Sequence, residues 1–165
     1  MSFDLARFVA AQDAGAFDAA LAELRRGRKE SHWIWFVFPQ LRGLGTSWAA
    51  TRYGLDGVAE AEAYLDDPML RARLLEVTDV VRAQLRRGTQ IEDLMGSEID
   101  ALKLVSSMTL FEHVARTAAS GPVPDLRALA DAAADILATA EAQGHPRCRF
   151  TLKQLSRRPR GAVRA

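Results

Sequence analysis

Cysteine is almost missing from this sequence: Cys148 stands alone among 165 residues, which excludes an internal disulfide framework and any cysteine-rich metal site. Long hydrophobic runs are missing too. The longest, Trp33 to Phe38, has six residues against the ~20 needed to cross a bilayer, and no basic-then-apolar leader opens the chain. The expectation is a cytoplasmic protein with no membrane contact. A phosphate-binding glycine loop is absent, because Gly43-Leu44-Gly45 is not followed by the lysine such a loop uses and is not preceded by a clear strand. His145 and Cys148 have a spacing seen in metal sites, but no second pair completes four ligands. Cys148 also lacks a base partner in sequence, so no cofactor and no metal are expected.

What is present is a near-balance of charge that hides an asymmetry. There are 22 Lys plus Arg against 21 Asp plus Glu, yet residues 145 to 165 hold seven basic residues and no acidic one. The body is therefore acidic and the tail basic. An apolar fraction of 48% and the length fit one domain, with a radius of gyration of roughly 15 Å by size scaling. We expect residues 1 to 155 to form a single helical domain and residues 156 to 165 a basic, disordered tail.

The apolar spacing is mostly helical, and alanine is abundant, so the fold class is all-α: a compact bundle of about seven helices. Leu5, Phe8, Val9 and Gln12 follow the 3.6 period until Gly15. Phe17, Ala20, Leu21 and Leu24 then share a stripe that stops at Gly27 after Arg25 and Arg26, cations placed at the negative end of the dipole. The basic run Arg25 to Lys29 reads as a solvated helix end or as a phosphate-binding patch. Short helices follow at about Thr46 to Tyr53 and Val58 to Leu65. Asp67-Pro68 is a start signal, since Asp caps exposed amides and Pro loses nothing at the first helical position. That helix should bury Leu70, Leu74, Val77, Val81 and Leu85. Thr89 with Glu92, and Ser97 with Asp100, have capping-box spacing. The helix from Glu98 to Ala118 is apolar on nearly every side, Leu102 included, which predicts a central, buried element. Gly121, Pro122 and Pro124 break the chain before a last long helix to about Gln143, whose alanine-rich stretch shows weak core character.

Two places hold the residue types for chemistry. Trp33, Trp35, Phe36 and Phe38 are four of the twelve aromatics, packed into six positions. They read either as a central core segment ended by Pro39, or as the aromatic lining of a small-molecule pocket, with Lys29, His32 and Gln40 as its polar groups. Periodicity leaves strand or helix open; the helical surroundings favour helix. The second place is Lys103, with Ser106 and Ser107, on the apolar helix. A lysine there must be paired or reach water, and Lys103 and Ser107, four apart, share a face able to meet an anion. Alternatively Lys103 snorkels and the hydroxyls bond back to carbonyls one turn earlier.

At these residues the sequence resembles the bacterial family catalogued as domain of unknown function 1810, DUF1810. The resemblance is carried by Arg7-Phe8-x-x-Ala11-Gln12, by Gly27-Arg28-Lys29 with Ser31-His32-Trp33-x-Trp35-Phe36-x-Phe38-Pro39-Gln40, by Leu44-Gly45 and Tyr53-Gly54, and by Leu102-Lys103-Leu104-x-Ser106-Ser107-Met108-Thr109-Leu110-Phe111. It covers about residues 3 to 115, and in the last third only Arg149-Phe150-Thr151-Leu152 is similar to the family ending. It implies a mainly helical single domain without a settled activity. A more distant resemblance, on the Phe-x-x-Ala-Gln opening and the aromatic segments, is to the NADAR proteins, which cleave ADP-ribose-type N-glycosides. The ligand expected is nucleotide-like, with Lys29 and Lys103 meeting phosphate and Trp33, Trp35 and Phe38 stacking a base. For glycoside cleavage, Glu30 or Asp100 would supply the carboxylate. The competing expectation is a non-catalytic module whose basic tail docks an acidic partner or nucleic acid, nucleic acid being the less favoured of the two; whether the protein is an enzyme stays open.

Overall fold

Local signals in the sequence place most helix boundaries, and packing of their apolar stripes then assembles the helices around one central rod. The computed structural model describes residues 2–118 and 123–157, and among these the only bridge of strand type is an isolated parallel one between Leu41 and Leu55. The chain opens with α1 (Ala6–Ala11), passes through a π-helical segment (Gln12–Ala16) broken at Gly15, and continues as α2 (Phe17–Arg25). Then come α3 (Ile34–Val37), α4 (Trp48–Tyr53), α5 (Gly57–Asp66), α6 (Pro68–Arg86), α7 (Ile91–Met95), α8 (Glu98–Ala118), α9 (Pro124–Ala142) and α10 (Arg149–Leu155). With α1, the π segment and α2 taken as one interrupted rod, the described residues hold nine helices against the expected seven. The excess lies in pieces such as α3 and α10, of four and seven residues, too short for an apolar period to repeat. Gly121, Pro122 and the tail from residue 158 fall outside the described residues.

The start of α6 forms as its sequence requires. Asp67 accepts hydrogen bonds from the amides of Met69 and Leu70, both at 3.0 Å, and Pro68 takes the first helical position. Leu70, Leu74, Val77, Val81 and Leu85 are all buried. The expected box at Thr89 and Glu92 does not form. The N-cap of α7 is Gln90, without a side-chain cap; Gln143 Oε1 instead accepts from the Ile91 amide at 2.7 Å, and Glu92 faces His145 Nε2 at 2.9 Å. An orphan donor at a helix start needs an acceptor, and here the end of α9 supplies it.

α8 is the central rod, packed against α9, α7, α5, α10 and α3. Its first turn departs from all-round burial: Ile99 is 67% and Leu102 48% exposed. The alanine-rich α9 is a full core element, contrary to its weak apolar signal. Leu129, Ala133, Ile136, Leu137 and Ala140 are buried, and small side chains let its backbone lie close to α8. α6 also packs against α9.

A second internal tie holds the opening helix. The Arg7 guanidinium pairs with Glu60 at 2.7 Å, both side chains nearly inaccessible to solvent, and donates to the Arg52 carbonyl at 2.9 Å. It joins α1 to α4 and α5. Buried charges are tolerated when paired and hydrogen-bonded in this way.

Candidate functional site

The segment between α2 and α3 is positioned by Glu23, a residue the sequence reading passed over. Its carboxylate accepts from the Glu30 amide (3.0 Å), the Ser31 amide (3.1 Å), the Ser31 hydroxyl and the Trp33 indole N–H (2.6 Å). Burial alone would raise its pKa. The bonds from the Ser31 hydroxyl, the Glu30 amide, the Trp33 indole and the Ser31 amide outweigh that and hold it at about 2, against 4.5 for a free glutamate. One clue was available: a glutamate in the last turn of a helix sits at the wrong end of the dipole, and here the reason is an anchored loop.

Anchoring this loop turns the basic run in two directions. Arg25 and Arg26 remain solvated beside Glu76 and Glu30. Lys29 goes inward: its amide donates to the Leu94 carbonyl at 2.7 Å and its side chain is 6% exposed. Its Nζ donates to the Ser31 carbonyl at 2.6 Å, pairs with Asp100 Oδ2 at 2.7 Å, and lies 5.0 Å from the Trp33 ring centroid. The other carboxylate oxygen of Asp100 pairs with Lys103 Nζ at 3.1 Å, and that ammonium lies 5.1 Å from the Trp35 centroid. The result is a ladder of indole, ammonium, carboxylate, ammonium, indole. Burial would raise the Asp100 pKa, but hydrogen bonds and charge from Lys29, then Lys103, bring it below the usual aspartate range. Asp100 therefore does not complete a capping box. Ser97 Oγ does accept from the Asp100 amide at 3.1 Å, while the Asp100 carboxylate is held by the two lysines.

Two clefts flank this ladder and share Trp35 and Lys103. One, of about 300 Å³, is lined by Lys29, His32, Trp33, Phe36, Ala49 and Asp100 as well. The other, of about 360 Å³, adds Gln40, Leu44, Ile99, Leu102, Ser106 and Cys148 among its lining. Gly45 lets the neighbouring loop lie flat on Trp35, since a Cβ there would stand 3.2 Å from the ring. Gln12 fixes the end of α3, its amide donating to the Phe36 carbonyl at 2.9 Å.

Most of the candidate residues converge, but two do not. Phe38 is fully buried, packs against Trp33 and lines neither cleft; it is core. Ser107 is fully buried as well, and its Oγ finds no hydrogen-bond partner among the described residues. It does not join Lys103 at a common anion-binding face. Trp33 is buried to 1% and meets its cleft only as part of the wall. Trp35, half-buried, is the accessible indole of the pair. His32 is exposed on the rim of the first cleft, and Ser106 shares its hydroxyl proton with Thr151 at 3.3 Å. The bond back to a carbonyl one turn earlier is made by Thr109, to Val105 at 2.7 Å.

The motifs that build this ladder are those of a catalogued family, whose model, described as a protein of unknown function (DUF1810), matches residues 2–123. The chain belongs to the DUF1810 family. Every residue of the ladder and of both clefts up to Ser106 lies inside the matched span, whereas Pro146 and Cys148 lie beyond it. This DUF1810 chain is also similar to a solved structure, that of the conserved hypothetical protein Rv1873 from Mycobacterium tuberculosis. The identity is 42%, the likeness covers 92% of this chain and 95% of that one, and the TM-score is 0.72. No curated protein matches, and the resemblance to NADAR proteins is not among what the comparisons show. Among the described residues, no helix of this family member is long and apolar enough to cross a membrane.

Proposed function

We propose that this protein binds a small molecule joining a flat ring to an anionic group, of the nucleotide or ADP-ribose type, in the clefts around Trp35 and Lys103. The observation that carries the reading is the position of Lys103 Nζ, over the half-buried Trp35 ring and on the wall of both clefts. A ring stacking on the indole and an anion meeting the ammonium are then recognised at adjacent points. Lys29 and Lys103 share one carboxylate, which leaves one positive charge in excess for the ligand. The same pairing favours binding over glycoside cleavage. A carboxylate held between two ammonium groups is a poor stabiliser of a developing cationic sugar, and Glu30 is exposed beside Arg26.

A thermal-shift series with nucleotides, ADP-ribose, NAD and inorganic pyrophosphate tests this. A ligand that binds only the folded state at one hundred times its Kd adds about 2.7 kcal/mol of stability. The expected result is a saturable rise in Tm that is lost in Lys103→Ala and in Trp35→Ala while both variants stay folded. Indifference of the wild type to the whole series overturns the reading.

A second reading rests on α10. Arg149 and Lys153 are exposed and form no ion pair with a described residue, so this helix and the basic segment after it offer charge to an acidic partner or nucleic acid. Steep weakening of such binding with salt is its signature.

A further inference from the structure

The second cleft holds a donor that the protein itself leaves without use. Gln40 forms part of its wall, is 1% exposed, and its Nε2 has no hydrogen-bond partner among the described residues. An unpaired buried amide is costly, on the order of 1–3 kcal/mol, and is uncommon enough to need a reason. Around it the cleft is apolar: Leu44, Val105, Pro146 and the Trp35 indole form the wall, and Ile99 and Leu102 stand exposed at its edge. Those two exposed residues occupy the one turn of α8 that fails to bury its apolar face. The first cleft, across Trp35, has the opposite character, with Lys29, His32 and Asp100.

We infer that the two clefts divide one ligand between them: the second takes the ring and reads a carbonyl on its edge through Gln40 Nε2, while the first takes the anionic group. This rests on the nucleotide-type reading above and specifies it. Apolar walls suit a flat heterocycle and give no purchase to a phosphate. Lys103, common to both clefts, sits where the ring gives way to the charged part. The terminal torsion of a glutamine is soft, so the buried Nε2 of this lining residue turns to meet an acceptor placed in the cleft. A donor at this point favours a base whose edge presents a keto oxygen over one whose edge presents an amino group, because the latter leaves two donors facing each other.

The experiment compares inosine monophosphate, adenosine monophosphate and inorganic pyrophosphate by calorimetric titration of the wild type, Gln40→Met and Gln40→Leu. The expected result is about tenfold tighter binding of the inosine nucleotide in the wild type. That preference vanishes in both variants, with pyrophosphate affinity unchanged and Tm equal or higher because an unpaired amide is gone. Equal affinity of the two nucleotides for the wild type, or survival of the preference in the variants, overturns the inference while leaving the broader reading intact. A variant Tm that falls steeply shows that Gln40 is structural and also overturns it. Failure of all three compounds to bind the wild type overturns this inference, and the broader reading falls with it only if the thermal-shift series with ADP-ribose and NAD is also without effect.

Discussion

Four hydrogen-bond donors converge on Glu23, three of them from residues 30 and 31 and the fourth from Trp33, so the carboxylate must be charged for the loop to hold. Glu23→Gln keeps the shape but turns an NH2 group toward those donors. We expect a loss of about 2–4 kcal/mol in urea unfolding, and a change under 0.5 kcal/mol would count against the anchor. The same residue predicts an acid response. Its folded-state pKa of about 2 lies below the unfolded value near 4.5, so the unfolded chain takes up the proton first as pH falls. The stabilisation, on the order of 3 kcal/mol, is complete above about pH 4.5 and disappears as pH drops from there toward 2. Asp100, also lowered, acts in the same direction. Between pH 6 and pH 3 the wild type should lose more stability than Glu23→Gln; parallel curves would refute the assignment.

At the scale of elements, α7 acts as a strut under the site. Leu94 accepts from the Lys29 amide at 2.7 Å, and Gly96, which ends the helix with φ +80°, lets the Lys29 carbonyl come so close that a Cβ would stand 2.7 Å from it. Gly88 ends α6 with a similar φ of +96° but has nothing within 4 Å. The pair separates backbone strain from collision. Gly88→Ala should cost about 1–2 kcal/mol, the left-handed penalty alone. Gly96→Ala adds a clash with backbone, so its loss should exceed that of Gly88→Ala by about 1–2 kcal/mol. It should also weaken pyrophosphate binding as Lys29 is pushed aside. Equal melting temperatures for the two variants would show that the contact yields without cost. Element boundaries of this kind were legible, because a cap or a terminal glycine is read from its immediate neighbours. The short α3 was not: four residues contain a single turn, and no period reveals which face Trp35 or Phe36 will present. The core role of α9 was hidden for another reason, since alanine carries a weak apolar signal yet permits the closest packing.

At the scale of the molecule, charge is divided between an acidic body that carries the ladder and a basic end that begins at α10. Leu155 closes α10, so trimming the chain after it removes four arginines and no described helix. The trimmed protein should keep the ligand-induced Tm shift of the full chain to within about 1 °C, and any binding to heparin or nucleic acid should drop and lose most of its salt dependence. Loss of the ligand response on trimming would place the tail in the site and overturn the division.

Sequence by itself determined the helical class, the starts at Asp67-Pro68 and Ser97, the burial of the α6 stripe and the motifs that mark the family, since each of these depends on residues within one or two turns of each other. It also marked Lys29 and Lys103 as cations that stand out beside aromatic or apolar segments, and placed Trp35 and Gln40 among its candidates on equal terms with Trp33, Phe38 and His32. Only the tertiary structure decided that Trp33 and Phe38 are taken by the core while Trp35 stays half-open, that Ser107 is fully buried and lines neither cleft, and that Asp100 stands between two lysines from distant parts of the chain. Hydrogen bonds and ion pairs act over a few ångströms, and which groups come that close is set by how α7, α8 and the loop held by Glu23 pack together.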